Sequence, residues 1–354
     1  MKILVVGAGP AGLYFSYLAK RAHPDWKIRV VEQNRADSTF GFGVVFSDKA
    51  LEFLRGDDPQ TYDAITPHME QWVDLTVVHR GTPVVIDGIG FSAIGRLKFL
   101  QLMQARAASA GIVPEYETKL TSFDGYDLVV GADGANSTLR AGRDFGTTVS
   151  YLTNKFAWFG TPTPFRTLTQ TFVSNEHGSF NAHHYRHSPA MSTFVVECDA
   201  VTWQRAGFPT MDEASTITYL EKLFGHRLVS NKSVWRNFPN VRNKRYFSGN
   251  TVLIGDALRT AHFSIGSGTR LAMEDAIALV KAFESADPLP SFEAARRPIV
   301  DKLVAAADAS GAWYERFAEH MKLAPREFAW SYIQRSGRID PERLRKISPR
   351  FVEG

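Results

Sequence analysis

The residues with the most chemical content fall into four groups. Gly7-Ala8-Gly9-Pro10-Ala11-Gly12 spaces three glycines as G-x-G-x-x-G, and Glu32 follows 20 residues after Gly12. Gly7 permits a tight turn, Gly9 lets backbone amides approach a pyrophosphate, and Gly12 lets a helix pack closely on a strand; a carboxylate at position 32 can accept both hydroxyls of an adenosine ribose. Together they predict a dinucleotide site, against the simpler reading of a ligand-free β-α turn. Asp133-Gly134 and Gly255-Asp256 each follow a short apolar run, which sets a carboxylate at the carboxyl end of a sheet strand, where open α/β sheets bind ligands. His183, His184, Tyr185 and His262 are the nearest approach to an acid–base set, because imidazole titrates around neutral pH. Burial in the core is the competing role for each. Clustered metal ligands and a G-x-S-x-G elbow are missing, so neither a metalloenzyme nor a serine hydrolase is expected.

These groups need elements to hold them. Lys2–Val6 reads as a strand entering the glycine turn, and Leu13, Tyr14, Tyr17 and Leu18 then recur at helical spacing until His23-Pro24. A second strand, residues 27–31, ends at Glu32. Asp127–Val130 runs into Gly131 and the Asp133 turn, and Thr251–Ile254 runs into Gly255-Asp256-Ala257. After Ile265-Gly266-Ser267-Gly268-Thr269 comes a helix with Ala272, Ala276, Leu279, Val280 and Phe283 on one face; Arg96 opens another, with Phe99, Leu100 and Met103 as its apolar face. Between residues 151 and 250 strand-helix alternation gives way to a meander: residues 158–159, 169–173, 179–185 and 193–198 read as strands, with one helix near 211–224. Alternation places His183 and Tyr185 on one face and His184 on the other. Beyond Ser285, Ile299, Leu303, Val304, Ala307, Trp313, Tyr314 and Phe317 form helical core faces.

Composition bounds the rest. The 354 residues correspond to two or three units at ~150 residues each. With 44% hydrophobic and 22% charged residues the chain has enough apolar content for a large core. The single Cys198 excludes an internal disulfide and fits a reducing compartment. No run nears the ~20 apolar residues of a membrane span, and Gly7, Gly9 and Pro10 interrupt what could pass for a signal peptide, so a cytoplasmic protein without membrane attachment is expected. The net charge is +4, and the tail from Gln334 to Gly354 holds six Arg/Lys against three Asp/Glu, the pattern of a solvated helix rather than of a nucleic-acid surface.

The glycine turn, the Asp133-Gly134 segment and the Gly255-Asp256 segment, in that order, resemble the three signatures of the group A flavoprotein aromatic monooxygenases, of the p-hydroxybenzoate hydroxylase type, over residues 1 to about 285. The resemblance implies an α/β protein: a Rossmann-like FAD-binding domain (1–70, 95–155 and 248–285) interleaved with a mostly antiparallel β-sheet substrate domain (71–94 and 156–247), followed by C-terminal helices (286–354). It implies FAD held by Gly7, Gly9, Pro10, Ala11, Gly12, Glu32, Gln33, Arg35, Val45, Arg96, Asp133, Gly134, Asp256, Gly266, Ser267, Gly268 and Thr269. In that scheme Asp256 meets a ribitol hydroxyl, Arg96 lies on the pyrophosphate side, and Asp133-Gly134 serves flavin placement and nicotinamide docking. The helix after Gly268 aims its positive end at the flavin pyrimidine. NADPH or NADH is the transient reductant, O2 the co-substrate, and a flavin hydroperoxide the oxygen donor to an electron-rich ring.

Gly41–Asp48, Asn181–Tyr185, Ser192–Cys198, Trp235–Phe238 and His262–Gly268 narrow the resemblance to the branch containing the monooxygenase part of salicylyl-CoA 5-hydroxylase, 2-aminobenzoyl-CoA monooxygenase and the violacein-pathway indole hydroxylase. That implies a small aromatic substrate, a hydroxy- or aminobenzoyl-CoA thioester, with an indole or other CoA-free aromatic as the alternative, and a flavin-fold binding protein without redox turnover as a third. Phe46, Trp158, Phe180, Phe194, Trp235 and Phe263 are the expected substrate pocket, and His262, Tyr185 and His183 the expected catalytic groups. Two departures stand out: His262-Phe263 replaces a paired proline, and Arg259 replaces a small or imidazole side chain. A monomer or homodimer is expected, and no appended reductase barrel, which would need ~250 further residues.

Overall fold

The computed structural model describes residues 1–47 and 51–354; Asp48, the last residue of one motif above, lies outside them. Its first sheet has the order β14-β15-β8-β1-β2, from Lys2–Val6 (β1), Lys27–Val31 (β2), Leu128–Gly131 (β8), Phe247–Ser248 (β14) and Thr251–Leu253 (β15). β1 pairs in parallel with both β2 (Val5 opposite Val30) and β8 (Val5 opposite Val130), and β15 pairs in parallel with β8. Helices cover both faces of a parallel sheet, so β1 needs no polar alternation, and Ile3, Leu4 and Val5 are all buried. Pro10–Ala22 (α1) follows the glycine turn and packs against Arg96–Ser109 (α4) and Gly268–Ala282 (α8). Gly7 has φ +105°, and a Cβ there would overlap the Ala132 backbone; a Cβ at Gly12 would overlap the Gly7 carbonyl. The turn therefore locks β1, α1 and the Asp133 segment together.

The second sheet has the order β13-β9-β12-β11-β10-β5-β6. Its strands are Leu75–His79 (β5), Thr82–Ile86 (β6), Thr147–Thr161 (β9), Leu168–Asn175 (β10), Gly178–Ser188 (β11), Met191–Cys198 (β12) and Arg236–Asn243 (β13). It is antiparallel except where β10 runs parallel to β5. Gln170 stands opposite His183, Asn181 opposite Glu197, and Val195 opposite Trp158. Opposed residues share a face, so this register sorts the side chains. Ala157, Phe159, Phe180, Ala182, Phe194 and Val196 form a core together with residues of Ala200–Arg205 (α6), Phe208 and Glu213–Phe224 (α7). Phe156, Trp158, Val195, His183 and Tyr185 take the other face.

Gly43–Ser47 (β3), Phe91–Gly95 (β7) and Glu70–Trp72 (β4) form a third sheet in that order, and two short helices, Glu52–Asp57 (α2) and Pro59–Ile65 (α3), lie between β3 and β4. Thr138–Ala141 (α5) follows the Asp133 turn. Pro288–Tyr314 (α9), Phe317–His320 (α10), Pro325–Gln334 (α11), Pro341–Ile347 (α12) and Pro349–Glu353 (α13) close the chain. Their Trp313, Phe317, Phe328 and Tyr332 pack on Phe172 of β10. Among the described residues no helix is long and apolar enough to cross a membrane, and no group of three or more His, Cys, Asp or Glu is placed to hold a metal ion.

Candidate active site

Two connected cavities run along the carboxyl ends of the parallel strands. The first, about 340 Å³, is lined by Gly7, Gly9, Pro10, Glu32, Gln33, Arg35, Arg96, Asp133, Gly134 and Thr269, and also by Asn34, Phe40, Tyr116, Thr118 and Asn136. The second, about 1110 Å³, shares Gln33, Arg96, Asp133, Gly134 and Thr269 and continues along Val45, Asp256, Gly266, Ser267 and Gly268. Of the seventeen residues expected to hold FAD, Ala11 and Gly12 do not line the cradle: they pack behind the turn, Ala11 facing Gly255 and Gly12 facing the Gly7 carbonyl.

The cradle fits a dinucleotide on its own chemistry. A Cβ at Gly9, Gly134 or Gly268 would meet only open space, so backbone there is accessible to a ligand. Asp256 is exposed into the cavity, and its carboxylate takes no hydrogen bond among the described residues. The surrounding protein raises the Asp256 pKa by desolvation, opposed by Arg259 and Arg96. Oδ1 of Asp133 is buried without a partner, while Oδ2 accepts from the Thr138 amide (2.8 Å). Glu32 accepts from the Ala8 amide (3.0 Å) and from the Asn34 amide (2.9 Å), which ties the strand-end carboxylate to the glycine turn. The first amides of the 15-residue α8 begin at Gly268, on the cavity wall.

Two buried arginines brace this cradle. Arg140 donates to the Ala135 carbonyl (2.5 Å) and to the Ala257 carbonyl (2.8 Å), clamping the Asp133-Gly134 and Gly255-Asp256 segments to each other. Arg259 faces away from the cavity; it forms a double hydrogen bond with Asp275 of α8, which also accepts from the Gly255 amide (3.0 Å) and from Arg296 of α9 (3.0 Å). The arginine that departs from the family pattern therefore fixes the Gly255 turn, not a substrate.

The wide end of the second cavity has an aromatic wall. Phe156, Trp158 and Phe263 have ring centroids 5.1–5.7 Å apart, and Phe238 lies beside them. His183 is 4% exposed, lines this chamber, and neither ring nitrogen has a partner. Burial pushes its imidazole down to about 3, helped by the charge of Arg335, so the ring is neutral and offers one donor and one acceptor. Orphaned buried nitrogens cost about 1–3 kcal/mol each, a cost that a polar ligand group can remove. Tyr185 also lines the chamber, but its hydroxyl donates to the Gly43 carbonyl (3.1 Å), and burial pushes its pKa up to about 12.

Several expected residues are placed elsewhere. His262 does not line the chamber: the tight turn at 263–265 projects Phe263 into it and sends the imidazole inward, where Nδ1 pairs with Ser264 Oγ (2.7 Å), itself bonded to Ser310 (2.7 Å). Burial holds that ring neutral, at about 3. Phe180 and Phe194 lie on the far face of the sheet against Phe208, Phe224 and Tyr219, because strand alternation gives the chamber His183, Tyr185 and Val195 instead. Phe46 alternates with Val45 and packs on Phe99 in the FAD-side core, and Trp235 alternates with Val234 and Arg236 to pack on Phe208.

A family described as FAD binding domain matches residues 125–307. The chain is 41% identical over 361 residues to a salicyloyl-CoA 5-hydroxylase from Streptomyces sp., covering 95% of this chain and 70% of that protein. It is 35% identical to protodeoxyviolaceinate monooxygenase of Chromobacterium violaceum, covering 96% of each. Among solved structures, 2-methyl-3-hydroxypyridine-5-carboxylic acid oxygenase superposes with a TM-score of 0.74 at 16% identity, covering 98% of this chain and 95% of that one.

Proposed function

Because this chain belongs to the FAD binding domain family, among flavin-dependent monooxygenases that hydroxylate aromatic compounds, we propose that its substrate is a hydroxy- or aminobenzoate ring carried as a coenzyme A thioester. The net reaction consumes the arene, O2, NAD(P)H and a proton, and yields the phenol, water and NAD(P)+. Bound FAD, reduced by NAD(P)H, supplies the activation of O2 and the electrophilic oxygen.

The chain's own residues do the rest. Asp256 and the α8 amides orient the flavin, and the positive helix end favours the extra negative charge of the reduced ring. Phe156, Trp158 and Phe263 hold the substrate ring and keep water out, which limits loss of the activated oxygen as peroxide. Neutral His183 accepts a hydrogen bond from the ring hydroxyl or amine. Tyr185 is committed to Gly43 and stiffens β3 against the flavin side. A cytoplasmic setting, where NAD(P)H is supplied, belongs to this reading.

The observation that carries it is the continuity of the dinucleotide cradle with an aromatic chamber whose single histidine is unpartnered; the relative that uses a salicyloyl-CoA substrate favours the thioester. The test is NAD(P)H oxidation with paired free acids and aryl-CoA thioesters, with product and peroxide both quantified. Tight coupling with the thioester supports the proposal, and coupling with free acids alone refutes it. A second reading, a larger CoA-free aromatic, is favoured by the end-to-end match to protodeoxyviolaceinate monooxygenase; coupling with a polycyclic indole and not with aryl-CoA would select it.

A further inference from the structure

We propose that the mouth of the aromatic chamber is an anion site for the phosphate-bearing tail of a coenzyme A thioester, formed by Lys232 and Arg236 beside an apolar shelf of Phe40, Tyr151 and Val234. The assignment rests on the thioester reading and says where the part of the substrate beyond the ring is held.

The segment 230–236 crosses the mouth and is pinned on both sides. Asn231 donates its side-chain Nδ2–H to the Gly41 carbonyl (3.2 Å), the Ser233 backbone amide donates to Ser230 Oγ (3.0 Å), and the Ser233 hydroxyl donates to the Trp158 carbonyl. Lys232 sits at φ +55°, a backbone conformation that glycine or asparagine adopts at less cost. The segment thus presents its side chains from a fixed backbone.

Lys232 and Arg236 are both exposed, both line the chamber, and neither is ion-paired with a carboxylate among the described residues. Many other arginines of this chain are so paired: Arg242 with Asp308, Arg245 with Asp144 and Arg297 with Glu293. The Arg236 guanidinium instead lies 5.9 Å from the Phe40 ring centroid. Phe40 is 52% exposed, Tyr151 62% and Val234 51%, and all three line the same cavity. The chamber's acids, Asp133 and Asp256, belong to the cradle end. A ligand reaching the ring site from solvent therefore passes an apolar shelf and two unpaired cations. That sequence complements an aryl thioester whose pantetheine arm is amphipathic and whose far end carries phosphates. A free benzoate would have no use for it.

The test uses FAD-loaded enzyme and two thioesters of 2-hydroxybenzoate: the coenzyme A thioester, and the N-acetylcysteamine thioester, which lacks phosphates. In the K232E/R236E double variant, KM for the CoA thioester should rise about tenfold or more. FAD content, kcat, KM for the truncated thioester and KM for NAD(P)H should stay unchanged. In the unmodified enzyme, added NaCl should raise KM for the CoA thioester alone, because exposed cations are screened. Equal changes with both thioesters, no change with either, or a change that falls on NAD(P)H instead would each overturn the rim assignment. If the unmodified enzyme hydroxylates neither thioester, the substrate reading falls and the rim assignment with it.

Discussion

Glu197 provides the sharpest test of the buried surface behind the chamber. It is 2% exposed on β12; Oε1 accepts from Asn154 Nδ2 (2.8 Å), and Oε2 is buried without a partner. Burial pushes its carboxyl from the ordinary 4.5 up to about 8, against the Asn154 hydrogen bond and with help from the Glu315 charge. The unfolded chain gives up this proton near 4.5 and the folded chain keeps it to about 8. Across that interval the folded state holds one more proton, so stability falls as pH rises, by about 1.4 kcal/mol per pH unit. Histidines have the opposite slope: His183, His187 and His262 are held neutral by burial, so they add stability as pH rises through their ordinary 6.5 and little beyond about a unit above it. These contributions are common to the unmodified protein and a Glu197 variant, so the difference between the two isolates Glu197, whose effect between pH 6.5 and 8 is roughly 2 kcal/mol. Glu197→Gln matches the protonated acid in shape and keeps an oxygen for Asn154. Urea unfolding at fixed FAD concentration should find the variant more stable than the unmodified protein already at pH 6.5, with its advantage larger by roughly 2 kcal/mol at pH 8. Parallel stability curves over this window would refute the argument that a neutral carboxyl is held there.

Asp256→Ala should release flavin, since its unpartnered carboxylate is the cradle's acid at the flavin end; full retention of yellow, FAD-loaded protein on gel filtration would exclude that contact. Arg140→Ala removes two hydrogen bonds from a buried guanidinium and should cost about 2–5 kcal/mol in urea unfolding, with weaker FAD binding, and unchanged stability would deny the clamp. His183→Ala should keep FAD, lower kcat/KM for hydroxylation by about 10–100-fold, and shift turnover toward peroxide. Because the ring is neutral from about 3 upward, unmodified enzyme and His183→Asn should share one pH profile between pH 5 and 8, and a titration lost with the imidazole would contradict that.

The cradle was legible because its constraints are local. A glycine that must turn at Gly7, a glycine that must let α1 approach at Gly12, and carboxylates at strand ends are each dictated within a few residues. Parity was partly legible: alternation correctly separated His183 from His184 and put Tyr185 with His183. The same rule, applied to Phe180, Phe194 and Trp235, would have sent them to the far face. His262 misled because nearness in sequence to the α8 turn says nothing about which way a side chain leaves a tight turn. Arg140, the Arg259–Asp275 bond, the parallel pairing of β5 with β10, and the rim cations join residues far apart in the chain, and no periodicity marks such pairs.

The first sheet also dictates an order of assembly. β1, made before the other strands of this sheet, is an interior strand, and its inner neighbour β8 appears about 120 residues later, with β15 as many again behind that. Pairing across such separations closes long loops before any contact offsets the entropy, which makes folding slow. The Arg140 clamp, which joins the Asp133 turn to the Asp256 turn, cannot form until residue 257 has been made, so the nascent chain carries an open, apolar sheet edge while residues 7–250 are synthesised. Flavin capture accordingly waits for β15 and the Asp256 turn, and a shortage of the cofactor would be felt as a population of chains in which that strand has arrived with nothing to close around.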